Sequence, residues 1–116
     1  MANSSQMLTA NGGYDTITGA GTALSGATPL TGGLNLVTAN TGATAVLLPA
    51  QPGGFGNVIV VHNAVGSTGA AALVFPPTSA GTINGGSAGA SFSVAPGKTA
   101  IFFATASGVY LAMLGA

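Results

Sequence analysis

The chain has 116 residues, with one acid (Asp15), one fixed base (Lys98), one histidine (His62) and no cysteine. Charged residues are 2% of it, against about 25% in an average soluble domain. This excludes hydrolysis by paired carboxylates, a basic patch for nucleic acid or a membrane surface, and disulfide or thiolate chemistry.

With 47% hydrophobic residues and a mean hydropathy of +0.64, the chain reads as globular rather than disordered. Its length fits one domain. The 20 glycines follow no Gly-X-Y period, so it is not collagen-like. Gly or Pro interrupts every window long enough for a transmembrane helix. Residues 1–7 lack the basic and apolar regions of a secretory signal, so synthesis in a cytoplasm is expected. The longest stretch free of Gly and Pro is 11 residues, and Glu and Arg are absent. Few helices fit, whereas short runs of Val, Ile, Thr and aromatics between turn residues point to an all-β fold.

In chain order, residues 1–33 are rich in Gly, Ser, Thr and Asn and predict a flexible or extended N-terminal arm, with one or two short strands such as 14–18. A β-domain is expected over 34–116. Strands are predicted at 34–39 and 45–48, around the turn Asn40-Thr41-Gly42. The run 57–63 is apolar on both faces and predicts a central strand. Strands at 71–75 and 82–83 follow, the latter before the turn Asn84-Gly85-Gly86. Strands at 91–95, 99–104 and 109–114 close the set. Ala95-Pro96-Gly97-Lys98 suits a type II turn and predicts a hairpin, so residues 90–114 are expected to form a three-stranded meander. The fold class expected is an antiparallel β-sandwich or small, jelly-roll-like barrel.

The last two strands are apolar on both faces. Ile101 and Phe103 oppose Ala100, Phe102 and Ala104, while Val109, Leu111 and Met113 oppose Tyr110, Ala112 and Leu114. An antiparallel sheet with one wet face would alternate with polar residues. Cover on both faces is therefore expected, from a second sheet or another subunit. Phe102, Phe103, Tyr110, Leu111 and Met113 are the candidate interface residues.

No catalytic, cofactor-binding or metal-binding residues are expected. Serines, His62 and Asp15 occur without a Gly-x-Ser-x-Gly elbow. Gly97-Lys98-Thr99 ends like a phosphate-binding loop, but Phe92 stands where the first Gly is required. Gly19-Ala20-Gly21 begins a dinucleotide fingerprint that Leu24 breaks. Zinc sites use three or four ligands, more than this chain supplies. His62 is expected to be a hydrogen-bonded structural residue, Asp15 a turn or cap residue, and Lys98 an exposed turn residue. A Thr-x-Thr surface of the ice-binding kind has only Thr16-Ile17-Thr18 behind it. Little charge is available to guard sheet edges, so edges and apolar faces are expected to be used in assembly.

The segments 34–39, 56–63 and 82–86, the Pro96-Gly97-Lys98 turn and the closing strand with Tyr110 resemble small β-domains of tailed-bacteriophage virion proteins, over about residues 30–114. The resemblance is strongest to capsid decoration, or cement, proteins. It implies a non-enzymatic homotrimer on the outer surface of the capsid, made in the host cytoplasm and bridging major capsid subunits. An N-terminal arm would lace onto the capsid. It also admits a tail fibre or spike domain that binds host surfaces. Neither implies a cofactor, nucleic acid or membrane.

Overall fold

The computed structural model describes residues 14–31, 33–50, 58–65 and 69–115. They form ten strands: β1 (Asp15–Thr18), β2 (Thr28–Pro29), β3 (Leu34–Thr38), β4 (Ala45–Leu47), β5 (Val58–Asn63), β6 (Ala72–Phe75), β7 (Thr82–Ile83), β8 (Phe92–Val94), β9 (Thr99–Ala106) and β10 (Val109–Leu114). The expected all-β class holds, in two sheets. One has six strands, in the order β1-β3-β5-β9-β10-β7, and the other four, in the order β2-β4-β6-β8.

The sheets are mixed rather than antiparallel. Pairs β1–β3, β3–β5, β2–β4, β4–β6 and β7–β10 are parallel. Only β5–β9, β9–β10 and β6–β8 are antiparallel. The reason is the path of the chain. From β1 to β6 it passes alternately between the two sheets, so each pass lays a strand parallel to the one before last. Three such coils precede the antiparallel β8, β9 and β10. Neither sheet closes on itself.

The predicted meander is also divided. The turn 95–98 has the type II features, with Gly97 at φ 77° and Lys98 N–H donating to Ala95 C=O at 3.0 Å. Yet β8 pairs with β6 in one sheet and β9 with β5 in the other. Asn63, at the end of β5, holds this crossover. Its C=O accepts from Gly97 N–H and its N–H donates to Lys98 C=O, both at 2.9 Å. Its side-chain Nδ2 donates to Val94 C=O and to Ala70 C=O, again at 2.9 Å.

One core lies between the sheets. Val37, Val61, Phe102 and Tyr110 of the larger sheet meet Val46, Val74 and Val94 of the smaller, all fully buried. Phe92 and Phe102 pack edge to face, with centroids 5.5 Å apart at 83°, a favoured aromatic geometry. Ile17 and Leu30 belong to this core, so residues 14–31 are built into the domain as β1 and β2. The part of the expected arm at 1–13 lies outside the described residues. A smaller cluster of Ala27, Ala45 and Phe75, with Leu24, Leu47 and Leu73 against it, covers the other face of the four-stranded sheet.

Replacing Asn63 with Ala strands two carbonyls at the crossover. Each buried unmet group costs about 1–3 kcal/mol, so Asn63→Ala should lower the unfolding free energy by about 2–5 kcal/mol, as read from urea titration. A loss below about 0.5 kcal/mol would contradict the clamp.

Candidate association surface

Cross-strand partners in register project from the same face, and this sorts the residues of the six-stranded sheet. On the outer face, Val58 of β5, Phe103 of β9 and Leu111 of β10 form one row. Leu34, Val60, Ile101 and Met113 form the next. A third runs Thr16, Leu36, His62 and Thr99. No Asp, Lys or other charged side chain stands in these rows. Leu111 is 49%, Met113 58% and Val58 40% exposed, so the apolar rows are open to water. The outer face of the smaller sheet has Leu24 and Ala27 over it.

The candidate interface residues divide accordingly. Phe103, Leu111 and Met113 lie together on the outer face. Phe102 and Tyr110 do not, and this corrects their place among interface residues. The even-numbered positions 100–104 and 110–112 turn inward, so both rings are fully buried in the chain's own core. The expected cover on both faces is thus met on the inner side by the second sheet.

Leu34, Leu36, Val58 and Val60 were not among the candidates. Their signal lay in the alternation of their strands. In β3 the amide of Asn35 is fully buried, with Nδ2 donating to Val60 C=O at 3.2 Å, while Leu34 and Leu36 point outward.

His62 is half-buried on the outer face, its Nδ1 2.8 Å from Thr99 Oγ1, which fits the expected hydrogen-bonded role. Asp15 lies in β1, where Thr31 Oγ1 donates to its Oδ2 at 2.8 Å. Lys98 is exposed at the turn, as expected. Among the described residues no three His, Asp or Glu side chains converge as metal ligands, and no helix is long and apolar enough to cross a membrane. Comparison with protein-family models, curated proteins and solved structures gave no match.

Beneath this surface, the Tyr110 hydroxyl donates to Pro49 C=O at 2.7 Å and pins the segment after β4 to β10. Burial pushes its pKa from 10.0 up to about 12. The folded state therefore favours the neutral phenol. That contribution is fully present below pH 10 and is lost as the pH rises through 12. Unfolding free energies between pH 8 and 12 should fall for the wild type, and fall less for Tyr110→Phe. Parallel curves for the two proteins would refute the assignment.

Proposed function

We propose that the protein is a non-enzymatic structural subunit that associates with copies of itself through the outer face of the six-stranded sheet. The observation that carries this reading is that face: three in-register rows without a charge, with Leu111 and Met113 about half exposed. An uncharged face offers nothing to steer a charged partner, but it matches a second copy of itself. Exposed contiguous apolar patches of this kind mark interaction sites. We read the two packed sheets as a sandwich rather than a barrel.

Taken with the resemblance to tailed-phage virion proteins, this supports a homotrimeric capsid decoration protein on the outer surface of the head. It would stabilise the capsid by binding between major capsid subunits, after synthesis in the host cytoplasm. The tail fibre or spike reading draws on a different observation. Among the described residues the chain coils through β1 to β6 in parallel passes, the path an elongated shaft would repeat, although Asp15 and Pro29 on its outermost strands oppose edge pairing. Glycan recognition by such a domain is less well supported, because Tyr110, one of two tyrosines, is enclosed in the core.

Leu111→Asp and Met113→Asp should leave the far-ultraviolet circular dichroism unchanged and abolish association in light scattering at micromolar concentration. Phe102→Asp, by contrast, should prevent folding. A wild-type protein that stays monomeric would overturn the reading. So would an unchanged oligomer carrying both outer-face aspartates.

A further inference from the structure

We infer that His62 makes association through this face sensitive to pH. The inference rests on the association reading above and concerns the same surface. His62 is the only side chain in the three rows of a type that changes charge between pH 5 and 8. It stands between Leu36 of β3 and Thr99 of β9, with Val60 two residues before it on the same strand. None of these carries a charge to pair with an imidazolium.

The remaining titratable groups of the described residues offer no partner either. Asp15 lies in β1, two strands away, its carboxylate accepting from Thr31. Tyr110 is enclosed on the opposite side of the sheet. Tyr14 leads into β1, at the far edge of the sheet. Lys98 directly precedes Thr99 and carries the same sign as a protonated imidazole.

The neutral ring is satisfied locally by Thr99, so a second copy can cover it at little cost. The protonated ring keeps that hydrogen bond but gains a charge. Covering the face then strips water from a cation that has no charged partner among the described residues, which is strongly unfavourable. Each copy also brings its own His62 to the contact, so like charges accumulate. Association therefore favours the neutral form, and it weakens as pH falls. The face is closed near pH 8 and opens near pH 5.

Light scattering of the full chain at pH 8 and pH 5 tests this, with circular dichroism to verify folding at both. The wild-type association constant should fall by roughly tenfold or more for each imidazole covered. In His62→Gln, which cannot take up a proton, the ratio between the two pH values should lie near one. His62→Asn serves the same comparison if the glutamine variant does not fold. A wild-type oligomer of equal strength at both pH values would overturn the inference and leave the association reading standing. An equal loss at pH 5 in wild type and variant would also overturn it. A wild type that is monomeric at both would overturn the two together.

Discussion

The two sheets are tied to one another at Asn63. This fully buried residue makes backbone bonds to Gly97 and Lys98 and side-chain bonds to Ala70 and Val94. The end of β5, the approach to β6, the end of β8 and the start of β9 therefore meet at one residue. A buried amide in a low-dielectric core is costly unless its bonds are made, and then it specifies one arrangement. Here the specified arrangement is the crossover. The turn 95–98 could close a hairpin on local grounds, but bonded to the end of β5 it delivers its two flanking strands to different sheets. The six-stranded order, and with it the outer face built by β5, β9 and β10, follows from that division.

The same sheet distributes polarity in an unusual way. The amides of Asn35 and Asn63 are inside and bonded to backbone carbonyls, whereas Leu34, Val60, Leu111 and Met113 are outside. Hydrophobic burial within a single chain would favour the reverse. The chain's scarcity of charge thus has a spatial expression. It is a sheet face with two apolar rows and a third that carries His62 and two threonines but no fixed charge.

The all-β class, most strand positions and the inner-outer alternation of β9 and β10 were legible from short apolar runs and turn residues. The alternation separated Phe103 from Phe102, but it could not say which side was the core, because both sides are apolar. The parallel pairing was missed. Turn chemistry between adjacent runs suggests hairpins, and a crossover between sheets leaves no local mark. A longer-range mark exists. Gly-Gly pairs stand at 12–13, 32–33 and 53–54, just ahead of β1, β3 and β5, and residues 14–18 align with 34–38 at the same spacing. Repeats of about 20 residues are the signature of coiled β architectures. Asn63 carried no comparable signal, since a buried amide and a strand-ending amide look alike in sequence.

Edges and faces are treated differently in this molecule, and the difference bears on how copies can meet. On the open end of the coil, the edge strand β1 carries Asp15 and the edge strand β2 ends in Pro29, which has no N–H to offer. Charge and proline are two of the devices by which β-proteins resist edge-to-edge growth. At the far side the edges are β7 and β8, of two and three residues, too short to template a long ladder. Among the described residues the outer face of the larger sheet has no such protection. Under the proposed reading, association by that face would join copies through side chains and leave the backbone ladders intact. Such a contact can close symmetrically around a small number of copies, whereas edge pairing propagates. The outermost strands β1 and β2 thus carry the chain's one acid and a proline, while the face through which we propose association carries no fixed charge.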